Sequence, residues 1–373
     1  MPLPLWVFLA LSAFAAALLG GGAGRAASLH LMLAVGAMPL IFAAMMHFIP
    51  VLTRSRAAPA GLAWAPLLAL AGGVWVWGAL GFPDRIGGRG MGAVPAVAGA
   101  IVLLLWSRRR RAAMLGQPHP GLAWYEAALA CLALALVAIL ASAVWPGQTP
   151  ALRLVHLHLN TLGFIGLTAV GTLAVLLPTA VGRPDAERGR WLRRALPWSV
   201  AGVLLVAVGA AGFRPLAWLG AVLWVFPLAW LGVRWLRLYR AEILALHGAA
   251  PLLAAALAGL ILSLFFGAIA GRFPAIAPAA AFVAGFLLPL VSGAASQLLP
   301  AWLRPGGQTA WHAARRTRLG RYGGLRAALF LVSGCAAGLG AAWGLPRGTA
   351  TLLWFILQAA VALAQAFRKE KPP

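Results

Sequence analysis

The sequence predicts an all-α integral membrane protein with twelve transmembrane helices. Three observations carry this. The chain has 373 residues, of which 62% are hydrophobic and only 10% charged. Soluble domains run at about 45–50% apolar and about 25% charged. Apolar runs near the roughly 20 residues that a bilayer requires follow one another almost end to end, giving a mean hydropathy of +0.90. The basic residues alternate from loop to loop, as they do in polytopic proteins.

The expected spans are 3–19, 29–52, 61–81, 92–107, 122–145, 153–180, 195–213, 215–233, 243–270, 275–302, 322–344 and 348–367. The first lacks a charged start and is followed closely by an equally apolar run, so it reads as a span and not as a cleaved signal. Bilayer-length helices satisfy the backbone in lipid, and the load of 44 Gly and 26 Pro is tolerated there. No long polar stretch remains to form a soluble domain.

The net charge is +24, with 30 Lys and Arg against six Asp and Glu. All but Arg25, Arg85, Arg89, Arg153, Arg214, Arg272 and Arg347 fall in the loops after even-numbered spans or in the tail. The positive-inside rule then places both termini in the cytoplasm. The charge is thus a topology signal, with binding to anionic membrane lipids a second reading and nucleic acid excluded as a partner. Cys131 and Cys335 lie in apolar runs and read as buried thiols.

Three runs share one ending: "MMHFIPVLTRS", "LAVLLPTAVGR" and "ASQLLPAWLRP". They close spans two, six and ten, with Pro50, Pro178 and Pro300 followed by Arg54, Arg183 and Arg304. The interval is four spans each time, so the single membrane domain divides into three four-helix pseudo-repeats, about 1–107, 108–233 and 234–367. Aligned on the prolines, His30 matches His158, each twenty residues upstream, and the third repeat has Ala280 there. His47 matches Val175 and Gln297.

Polar groups inside a membrane are expensive and face the bundle or a cavity. At about 100° per residue, His156, Asn160, Gly163, Gly171 and Ala174 share one face of span six. That face suits close packing. His158, Thr161, Thr168, Thr172 and Thr179 share the opposite face and suit a polar interior. His156 and His158 point about 200° apart. Span two carries His30, Met32, Met38, Met45, Met46 and His47. His30 and His47 are about 25 Å apart along an ideal helix and cannot share an ion. His30, with His158 or His156, forms a candidate site for haem iron or copper near the outer side, since imidazole suits both. His47 is a candidate for a separate metal. Without a ligand these histidines would bond between helices or sit at the interface. His247 reads as interfacial, and His119 and His312 as solvated loop residues. Of the acids Asp84, Glu126, Asp185, Glu187, Glu242 and Glu370, only Glu126 and Glu242 approach a span. That weakens a proton-coupled transporter. Neither a Cys-x-x-Cys nor a Walker loop occurs.

Twelve spans in three four-helix arcs, with histidines on the second and sixth, resemble haem–copper oxidase subunit I. The stretch "HLHLNTLGFIGLTAVGTLAVLLPTAVGRP" resembles the divergent members of that superfamily and the NnrS family, which are haem-binding membrane proteins linked to nitric oxide metabolism. The resemblance implies that His30 is a haem ligand on helix two and that His156 or His158 is a metal ligand on helix six. It implies haem b or copper as cofactor, respiratory or denitrification membrane proteins as partners, and a multi-pass location in a bacterial inner membrane. The oxidases also use histidines on helices seven and ten, and 195–213 and 275–302 contain none. A complete oxygen- or nitric-oxide-reducing centre therefore cannot be assembled. The leading expectation is a haem- or copper-binding membrane protein. The rivals are a transporter or channel for a small solute or metal, and an assembly or scaffold protein of a respiratory complex.

Overall fold

A computed structural model describes residues 2–20, 24–82 and 88–368. Arg85, Lys369 and Lys371, used in the charge pattern, and the acids Asp84 and Glu370 lie outside them. The described residues form helices and no strands. Ten helices are long and apolar enough to cross a membrane: α2 Gly24–Leu52, α3 Ala60–Gly81, α4 Gly90–Ala112, α5 Gly121–Val144, α6 Pro146–Val181, α7 Arg188–Gly212, α8 Arg214–Ile243, α9 Ala250–Ile269, α10 Pro278–Leu303 and α13 Gly344–Ala364. Two further expected spans are helical but shorter, α1 Leu3–Leu19 with 17 residues and α12 Gly323–Gly338 with 16. The helix α11 Ala310–Leu319 replaces part of the expected arginine-rich loop.

That helix forms because Thr309 and His312 cap it. The Thr309 N–H donates to His312 Nδ1 at 3.1 Å, and His312 Nε2 donates to Arg304 O at 2.9 Å. Capping of the first turn satisfies donors that a helix start leaves open. His312 is therefore buried, only 1% exposed, and not a solvated loop residue.

The chain divides into two compact units, Met1–Thr172 with Ala186–Pro227, and Leu173–Asp185 with Leu228–Pro373. In the first unit, α1 lays Trp6, Ala10 and Phe14, a row at helical spacing, into the core. It packs on α2, which also meets α3; α4 joins α3 to α5, and α5 packs on α6. In the second unit, α9 packs against α10 and α12, and α12 against α13.

Three helices change their winding. Leu31–Ala37 in α2, Leu159–Gly166 in α6 and Phe282–Leu287 in α10 are π-helical. They begin nineteen, nineteen and eighteen residues before Pro50, Pro178 and Pro300. A π turn closes i→i+5 bonds and recurs at functional sites. It also shifts every later side chain around the helix, so faces drawn for a regular helix do not carry across it.

Two of the π segments are approached closely by glycine. A Cβ on Gly73 of α3 would lie 2.3 Å from Ala34 O, and one on Gly259 of α9 would lie 1.8 Å from Gly285 O. Only a residue without a side chain permits such backbone contact.

In the second unit, Asp185 is 6% exposed and receives Arg234 through Nε at 2.7 Å and through Nη2. Removing one partner of a buried pair leaves the other uncompensated, and Asp185→Ala is expected to cost about 3 kcal/mol. The check is the thermal unfolding midpoint in detergent; a midpoint unchanged from the parent would show the pair to be dispensable.

In the first unit, the loop before α5 is held by His119. Its N–H donates to Leu52 O at 3.3 Å, and its Nδ1 accepts the Gly121 N–H at 3.1 Å. Burial, and then the charge of Arg188, lower its pKa from the ordinary 6.5. The folded state therefore binds this proton less readily than the unfolded state does. The stability so contributed is present above pH 6.5 and is lost as pH falls below it. Unfolding midpoints from pH ~7.5 down to ~5.5 should fall less for His119→Gln than for the parent. Parallel curves would rule this out.

Candidate functional site

His30 and His158 have matching local geometry. Each is the last residue before a π segment. Each turns Nδ1 back on its own helix, His30 to Ala26 O and His158 to Leu154 O, both at 2.8 Å. The proline register therefore matches their local geometry, but it does not tell which rings meet.

The pairing is between His30 and His156. Their ring centroids lie 6.4 Å apart with planes 12° from parallel. Both residues are half-buried, and both belong to the first unit. Among the described residues no ring contact joins His158 to this pair. The physical reason is the position of His156 relative to α5: its Nδ1 donates to Ala135 O of α5 at 2.9 Å. Gly163 lies against Cys131 and Gly171 against Trp124, both on α5, so these two glycines are points of close packing.

The opposite face is less polar than its threonines suggest. Thr161, Thr168, Thr172 and Thr179 each donate to the carbonyl four residues earlier, at 2.7–2.8 Å. Hydroxyls satisfied within their own helix do not supply a polar path. Thr172 Oγ1 also accepts from Tyr125 OH at 2.9 Å.

The His30–His156 pair fits a shared ion through its outer hydrogen bonds. Each Nδ1–H is spent on a carbonyl, so in the neutral ring the lone pair is on Nε2. A ligating histidine is commonly oriented by such an outer bond. Asn160 Nδ2 donates to His156 O at 2.8 Å and lies 3.3 and 3.4 Å from the two ring nitrogens. Nearly equidistant from both, it is in line with neither lone pair.

The donor set ends at two. Among the described residues, no group of three or more His, Cys, Asp or Glu is placed to hold a metal. Two imidazoles would suit haem iron or copper(I), and not a four-ligand zinc site. His47 is exposed, lies beside Phe48 at 5.1 Å between ring centroids, and stands seventeen residues along α2 from His30. Met32, Met38 and Met45 are buried in packing. His247 is exposed as expected, and its Nδ1 accepts the Tyr322 N–H at 3.0 Å. Of the acids, Glu126 is buried, accepts from Ser107 Oγ at 3.1 Å and pairs with Arg111 at 3.0 Å.

Sequence reasoning missed the Ala135 O anchor and the Asn160 amide. The spacing of His156 and Asn160, four residues apart, carried a signal for the second. Nothing in the sequence pointed to Ala135.

Together these features define a polytopic, all-helical membrane protein with a two-histidine cluster. No family model matches the chain, and no curated protein sequence matches it.

Proposed function

We propose that this protein is a twelve-span membrane protein that binds one haem b or one copper ion between His30 and His156, and that it acts in nitric oxide or respiratory-metal physiology in a bacterial inner membrane. The observation that carries the reading is the ring pair at 6.4 Å with both Nδ1 groups committed to carbonyls. The positive-inside pattern supports cytoplasmic termini. The three π segments in register with Pro50, Pro178 and Pro300 support a four-helix repeat occurring three times along the chain.

His30 and His156 would hold the group through Nε2, and Ala26 O and Ala135 O would keep the rings oriented. Arg153, exposed one turn before His156 on the same helix, would offer a cation to a cofactor bearing carboxylates, as haem does. When bound, haem or copper would supply one-electron redox chemistry. His158 keeps its lone pair outside this pair and is a candidate for a second, separate contact.

The transporter reading has less support. The four described carboxylates, Glu126, Asp185, Glu187 and Glu242, all pair with arginine, which leaves none of them as a ready coupling group. The test is purification in mild detergent, followed by reduced-minus-oxidised visible spectra and metal analysis on one sample. A haem band, or copper at one per chain, supports the proposal. A colourless, metal-free protein from cells supplied with both would remove it and bring transport or scaffolding forward.

A further inference from the structure

The second unit buries a cation without an anion. Arg326, in the first turn of α12, is 0% exposed. A guanidinium stays charged and offers five N–H donors. Nη2 donates to Leu319 O at 2.7 Å, and the guanidinium carbon sits 4.7 Å from the Phe355 ring centroid. Nε and Nη1 are buried with no partner. The described carboxylates of this unit are Asp185 and Glu242, and they are bound to Arg234 and Arg183. Buried charges are normally paired, and a charged group inside a membrane protein marks a site by default.

Other polar groups converge on the same point. Leu319 O also accepts from Ser296 Oγ of α10 at 3.1 Å and from Gln358 Nε2 of α13 at 3.3 Å. One turn from Ser296, Ser292 Oγ is buried and has no partner. Gln358 Oε1 is a buried acceptor without a partner, which a co-bound water would satisfy. Within this unit α12 thus buries two unspent donors, α10 one and α13 one unspent acceptor.

We propose that Arg326, assisted by Ser292, holds a small monovalent anion, a halide or a planar oxyanion, within the second unit. One negative charge matches one buried cation. A divalent anion would leave the site with the same imbalance reversed. A ligand that binds only the folded state raises the unfolding midpoint logarithmically with its concentration, whereas surface arginines respond to ionic strength and not to the identity of one anion.

The full-length protein in detergent is therefore unfolded at constant ionic strength while chloride, or in a second series nitrate, replaces gluconate. The parent midpoint is expected to rise with chloride, nitrate or both, and which of the two acts at lower concentration separates halide from oxyanion. Arg326→Gln should give a flat series, and Ser292→Ala should shift the onset to severalfold higher concentration. Arg108→Gln, an exposed charge in the first unit, should leave the parent response intact. A flat parent series, or the same onset in Ser292→Ala as in the parent, overturns the proposal. If Arg326→Gln yields no folded protein, the Ser292→Ala series decides.

Discussion

His30→Ala and His156→Ala are each expected to strip the purified protein of its haem band or copper, while His158→Ala retains it. The argument rests on pairing. His30 and His156 face one another at 6.4 Å, and His158 repeats the local geometry of His30 without joining the pair. Loss of either imidazole would leave the proposed group with a single protein ligand. Losses of 10–100-fold in affinity are common even for outer-shell changes at metal sites, so loss of a direct ligand should exceed that. The measurement is cofactor occupancy per folded chain, with size-exclusion profiles to show that each variant folds. If His158→Ala empties the site while His156→Ala keeps it, the assignment of partners here is wrong.

The second large effect is structural. Gly259→Ala should cost about 3 kcal/mol or more, at the upper end of overpacking penalties. The added Cβ would fall 1.8 Å from Gly285 O and 2.8 Å from Phe286 N, both backbone atoms that no rotamer change can move. Gly267 on the same helix is the control. A Cβ there meets nothing within 4 Å, and Gly→Ala in a helix interior gains up to ~1 kcal/mol. The two variants should therefore move the unfolding midpoint in opposite directions. Equal midpoints would mean that α9 and α10 do not approach one another as described.

Much of this organisation was legible in the sequence. Apolar runs of bilayer length located every long helix, because backbone in lipid has few other solutions. The recurring proline endings located the three helices that carry π segments, and they identified His30 and His158 as equivalent. Close packing of α6 at Gly163 and Gly171 was legible too, since small residues mark where helices approach.

Other features were not legible. His312 looked like a solvated loop residue because its burial depends on Thr309 and Arg304 O folding back around it. Arg326 was counted as a cytoplasmic loop charge, yet it lies inside the bundle. Span 322–344 ended shorter, and α11 appeared before it, because capping is a matter of local geometry that hydropathy does not register. The burial of Asp185 was not legible because its partner, Arg234, lies 49 residues away.

The sequence by itself determined the class of protein, the order of its helices and the short list of histidines. Those properties follow from hydropathy, charge alternation and proline placement, all of which act along the chain. The tertiary structure alone decided that His30 meets His156 and not His158. That choice depends on how α6 is turned against α5, and a bond from His156 to Ala135 O sets it. Winding changes within a helix, and the neighbours it then meets, are properties of packing that a one-dimensional pattern does not contain.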